Sequence, residues 1–183
     1  SLAANRVFLS SYLHLISVLK PFFIWLWLLF GLHLAQAQCD FNGTLIIPDQ
    51  GTTGLNLLIS NAINNDLSDP GQGVCQVLIK FKHDVIGDLN NSLLSPSNQV
   101  VQLVGSGGTS SGFTDGTSWD IKFTPCASPA SPDPGFSPFW ANDELWQAFQ
   151  QYFGTYYPYS GCLEDFNLGP VNGTWTLLIE DVE

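Results

Sequence analysis

Residues able to do chemistry are few in this 183-residue chain, and their types limit what that chemistry can be. Five aspartates, Asp84, Asp88, Asp115, Asp120 and Asp181, fall at the ends of apolar alternating segments or in turn-rich stretches. Hard divalent cations take six to eight oxygen ligands, so these carboxylates make calcium the candidate cofactor, although their spacing is not that of an EF-hand. His83 is the only histidine after residue 33, which leaves a zinc site short of ligands. Trp140, Trp146, Tyr152, Tyr156, Tyr157 and Tyr159 form an aromatic group that suits either a core or a sugar-stacking platform. Four cysteines, Cys39, Cys75, Cys126 and Cys162, are even in number and contain no CxxC pair. Two disulfides are the plain reading, and four cysteines allow three pairings. Cys39–Cys75 and Cys126–Cys162 are favoured because each closes a loop within one half of the domain.

Charge narrows the partners. All 16 acidic residues lie from Asp40 onward, where only Lys80, Lys82 and Lys122 oppose them, a net charge of −13 for that part. Binding to nucleic acid needs clustered Lys and Arg, so that class is excluded, and anionic lipid surfaces are disfavoured for the same reason. With 45% hydrophobic residues the chain can bury a real core.

The first 37 residues read as a leader. FFIWLWLLFGLHL at 22–34 follows Lys20-Pro21 and precedes Ala35-Gln36-Ala37, the basic, apolar and small-x-small order of a secretory signal cleaved after Ala37. A membrane anchor needs about 20 apolar residues, and Lys20-Pro21 interrupts a longer run. Residues 38–183 are then the exported domain, secreted or at the cell surface, touching a membrane only through an uncleaved leader.

The elements that must position these residues are short strands. Val77, Ile79 and Phe81 alternate with polar positions, as do Ile121 and Phe123, and Trp175, Leu177 and Ile179. Period two marks half-buried strands. DPGQG at 69–73, GSGGTSSG at 105–112 and SPASPDPG at 128–135 read as turns and loops. No βαβ spacing appears. The fold class is therefore all-β, a jelly-roll-like antiparallel sandwich. One helical insertion is expected at 139–153, where Asn142 suits an N-cap and Leu145, Trp146, Phe149, Tyr152 and Phe153 recur at helical spacing.

Two strings are more specific. His83-Asp84-Val85-Ile86-Gly87-Asp88-Leu89 is followed by Leu93-Leu94-Ser95-Pro96, and about 80 residues on comes Asn172-Gly173-Thr174-Trp175-Thr176-Leu177 with Ile179 and Asp181. In this order they resemble the P domain (P/Homo B domain) of proprotein convertases and its bacterial relatives, over about residues 40–183. The resemblance implies structural roles for His83, Gly87, Asp88, Leu89, Leu93, Ser95, Pro96, Asn172, Gly173, Trp175 and Leu177, with Trp175 at the centre of the core. Two departures carry expectations. Asn91 replaces an apolar residue, which predicts an edge or locally wet strand, and Asn98 replaces a turn glycine, which is mild because Asn tolerates positive φ. The family domain also continues beyond its second string. Glu183 thus implies an incomplete last sheet with an unpaired neighbouring strand, and Ser1 in place of Met implies a cut start.

PCASPASPDPGF at 125–136 and GTYYPYSGCLEDFNLGPVNGTW at 154–175 are similar to P domains near the N-terminus of large surface proteins of gliding bacteria, which carry sorting signals for type IX secretion. Catalysis is not expected. Gly116-Thr117-Ser118 resembles the serine motif of subtilisin-like enzymes, but Trp119-Asp120-Ile121 begins a strand where that motif opens a helix. The expected role is a non-catalytic module that stabilises or docks a neighbouring domain of the same protein, or mediates attachment to a surface glycan or protein. A second reading is the accessory domain of a secreted subtilisin-like serine endopeptidase, and a third is a carbohydrate-binding jelly roll.

Overall fold

A computed structural model describes residues 40–41, 43–105 and 113–182. The leader, Ala37 and Cys39 lie outside the described residues, so the cleavage expectation and the Cys39–Cys75 pairing do too.

Among the described residues, seven strands form two sheets. The first has the order β1 (Thr52–Ile59), β7 (Gly173–Asp181), β3 (Leu89–Leu94) and β4 (Val100–Val104), all antiparallel. The second has β2 (Val77–Lys82), β5 (Ser118–Phe123) and β6 (Gln151–Tyr156). Alternation decides which faces are buried. Val77, Ile79 and Phe81 on β2 lie across from Phe123, Ile121 and Trp119 on β5, and all six are fully buried. Leu89 and Leu93 on β3 sit in the same core cluster as Leu55 and Leu57 of β1 and Trp175, Leu177 and Ile179 of β7. One core spans both sheets, so the chain is an all-β sandwich.

Trp175 is 1% exposed, and its indole Nε1 donates to the Val171 carbonyl at 2.9 Å while the ring meets Phe166 edge-on. Burial of a Trp needs a partner for that N–H, and the turn entering β7 supplies it.

Three expectations change. First, residues 139–153 form no α-helix. Backbone bonds there close short turns, Glu144 N to the Ala141 carbonyl and Trp146 N to the Glu144 carbonyl. Phe149 takes φ 57°, which an α-helix forbids, and β6 has begun by Gln151. The helical spacing of aromatics is used otherwise: Trp140 stacks on Trp146 at 5.0 Å, and Trp146 meets Tyr152 at 4.8 Å and Phe136 at 4.5 Å. Asn142 is not a helix cap but a fully buried brace, accepting from Trp140 Nε1 at 2.8 Å and donating to the Leu89 carbonyl at 2.7 Å. Packing outweighs helix propensity in this segment.

Second, the sandwich is not purely antiparallel, because β5 and β6 run parallel. The long irregular segment 124–150 gives the chain room to return and start β6 in the same direction. Third, Asn91 is neither at an edge nor wet. It is fully buried on β3, between β7 and β4, beside a register shift against β4, and its amide makes no hydrogen bond among the described residues. Among the described residues, the strand carrying the second string, β7, is flanked by β1 and β3, and β1 is an edge of that sheet.

Candidate functional site

The two strings meet at their outer ends. β2 delivers His83 just past Lys82, and β7 delivers Asp181 as its last residue. His83 Nε2 lies 3.1 Å from Asp181 Oδ2, and Nδ1 lies 2.7 Å from the Val85 carbonyl, with the Val85 amide at 3.3 Å from the same nitrogen. The side chains are 12% and 9% exposed. Nε2 faces an acceptor, the Asp181 carboxylate, whereas Nδ1 faces both an acceptor, the Val85 carbonyl, and a donor, the Val85 amide. Asp181 Oδ1 has no hydrogen-bond partner among the described residues.

The loop between the partners is tied to the same point. Thr114 Oγ1 donates to the His83 carbonyl at 3.0 Å and accepts from the Ile86 amide at 3.1 Å. Thr114 N donates to the Asp84 carbonyl at 2.6 Å. A single 3-10 turn, Ile86–Asp88, then sends Leu89 into β3, and the Asp88 carbonyl accepts from Val182 N at 3.0 Å. Gly87 sits in the middle of that turn.

The strings meet at their inner ends as well. Ser95 closes the turn after β3: its amide donates to the Gln99 carbonyl at 2.9 Å and its hydroxyl accepts from the Gln99 amide at 3.0 Å. Asn98 in that turn takes φ 63°, as expected of a glycine replacement. Gly173 has φ 139°, and a Cβ there would sit 2.9 Å from Pro96 Cβ. Only glycine lets Pro96 approach this closely. Asn172 holds Ala62 twice, accepting from its amide at 2.9 Å and donating to its carbonyl at 3.1 Å.

The five candidate cation ligands are not gathered. Asp181 faces His83, while Asp120 faces Lys80 at 3.3 Å across β2 and β5, on a partly exposed surface. The Asp115 carbonyl accepts from Phe149 N. No three of the five bring carboxylate oxygens within 4.8 Å of one another. Among the described residues, Cys126, Cys162 and Glu164 alone form such a group, and their sulfurs are joined in a disulfide. That bridge, expected from the spacing, links two loops 36 residues apart, and Glu164 accepts from the Cys126 and Ala127 amides at 2.9 and 2.7 Å. Sequence reasoning missed Glu164, whose role depends on a loop meeting that no local pattern announces. Cys75 lines a cleft of about 370 Å³ together with Leu67, Pro70, Val74, Glu164 and Phe166.

Ser118 lies opposite Lys82 in the β2–β5 register, one residue from His83, yet neither ring nitrogen of His83 bonds to it. The aromatic group is mostly core. Trp140, Trp146 and Tyr156 are at most 5% exposed, whereas Tyr152, Tyr157 and Tyr159 are half-buried. Burial pushes the Tyr156 phenol up to about 12, against a partly offsetting hydrogen bond from the Asp133 amide. Hydrogen bonds from the Ser68 hydroxyl and amide hold the exposed Asp66 carboxyl below the usual carboxylate range. Among the described residues, no helix is long and apolar enough to cross a membrane.

Comparison with protein-family models, with curated proteins and with solved structures returns no match.

Proposed function

We propose that the chain is a non-catalytic P/Homo B-type module of an exported protein, which stabilises or docks a neighbouring domain or mediates surface attachment. The observation that carries this reading is the His83–Asp181 contact, because it joins the first residue of one string to the last residue of the other. Strings that serve a fold are expected to meet in this way, and Pro96 against Gly173 repeats the pattern at the opposite end. His83 is engaged on both ring nitrogens, which suits a structural role and not a general base. Export through residues 1–37 and a setting among the surface proteins of gliding bacteria belong to the same reading. They rest on the leader and on the loops at 125–136 and 154–175.

The test compares the melting of the full-length protein with that of a version lacking residues 38–183. A stabilising or docking module predicts that the remaining domain melts several degrees lower when the module is removed. An unchanged melting temperature, with unchanged attachment of the protein to cells, would reject the proposal.

A further inference from the structure

Among the described residues, four strands have an outer edge, and three of them are guarded. On β4, Gln102 exchanges backbone hydrogen bonds with Ser160, both at 3.1 Å. On β6, Thr155 exchanges them with Ser131 at 2.9 and 3.0 Å. β2 carries Lys80 and Lys82, a common protection against edge-to-edge pairing. Among the described residues, β1 has none of these devices. All eight of its residues pair with β7, and among the described residues they pair with no other strand. Its sequence, TTGLNLLI, holds no charge and no proline. The net charge of −13 after residue 37 opposes association of two copies, and an uncharged edge is where they can meet without like charges in direct contact.

We propose that β1 pairs antiparallel with β1 of a second copy about a twofold axis at Asn56, joining two four-stranded sheets into one of eight strands. Buried faces stay continuous only if residues of the same parity lie opposite each other. Centring on Asn56 sets Asn56 against its own copy, Leu55 against Leu57, and Leu58 against Gly54. The last pairing is what favours this register. Leu58 is 70% exposed, and Leu178, beside Gly54 on β7, is 37% exposed. Gly54 has no side chain between them, so Leu58 of the second copy reaches across it to Leu178 and covers both. An interface of one strand pair is small, and the dimer dissociates in roughly the micromolar range or above. The proposal does not depend on the P/Homo B reading.

Sedimentation velocity of the purified chain over a wide concentration range tests it, with circular dichroism confirming the fold of each variant. Positions 54 and 58 are exposed, and a Cβ at Gly54 meets only Thr176 Cγ2 at 3.5 Å, an ordinary contact, so substitutions there leave the fold intact. The native chain shows a concentration-dependent dimer. Leu58→Lys and Gly54→Glu each weaken it about tenfold or more, because the twofold axis repeats every change. Gly54→Glu combined with Leu58→Lys places opposite charges face to face twice and restores most of the affinity. A chain monomeric at all concentrations overturns the proposal. So does a dimer indifferent to Leu58→Lys, or a double variant no tighter than the singles.

Discussion

Removing either member of the His83–Asp181 pair leaves the other buried without its partner, and the cost can be worked from the structure. The contact is 3.1 Å long and the side chains are 12% and 9% exposed, so water reaches the survivor only poorly. An unsatisfied buried polar group costs about 1–3 kcal/mol, and a fully buried charge costs more. Slight exposure on both sides points to the lower of these ranges. His83→Ala and Asp181→Ala should therefore each destabilise by about 2 kcal/mol, a fall in melting temperature of roughly 5–10 °C for a domain of this size. The double variant should lose far less than the sum, because the second removal deletes a group already orphaned. A coupling energy of about 1–2 kcal/mol is expected. Urea unfolding followed by tryptophan fluorescence measures all four proteins. Costs that add to within about 0.5 kcal/mol would show that the two residues act independently and that the strings are not joined there.

Trp175→Ala should cost about 3–5 kcal/mol in the same unfolding assay, the range for deleting a buried Trp, and a change below about 1 kcal/mol would contradict its place in the core. Replacing Cys126 and Cys162 together by Ser should cost about 4 kcal/mol in the chain-entropy estimate for a 36-residue separation, read from the urea midpoint. Chelator should leave the melting temperature unchanged, since no three of the five aspartates converge; a clear drop would show a cation site the geometry does not contain. Tyr156 should remain protonated to about pH 12, visible as a delayed step in an ultraviolet titration of the phenols. Its raised folded-state value means the folded protein holds a proton that the unfolded chain releases from about pH 10. Its stabilising contribution is therefore complete below about pH 10 and is lost as the pH rises towards about 12.

Legibility in the sequence followed local causes. β2, β5 and β7 announce themselves because one face is buried and the other is wet, so period two survives in Val77 to Phe81 and Trp175 to Ile179. The turn after β3 came from the resemblance, in which Asn98 stands in a turn-glycine position, and the tolerance of Asn for positive φ is a local preference. The segment from Phe139 to Phe153 misled because its aromatics serve contacts distant in sequence: Trp140 packs on Phe81 and Phe123, and Asn142 braces Leu89. The parallel direction of β6 has no local signature either. Asn91 shows the same limit, since a polar residue predicts water unless the neighbouring strands are known. For the site, residue types singled out the candidates. They did not show that Asp181 meets His83 and no other of the five aspartates, because sheet order sets that contact.

The most direct test of the proposed docking role is hydrogen–deuterium exchange across residues 38–183, measured in this chain alone and in the full-length protein. A docked module predicts added protection on one contiguous face when its neighbour is present, with the core strands β3, β5 and β7 equally protected in both. Identical exchange everywhere would contradict the account, because a module that docks must cover some of its own surface.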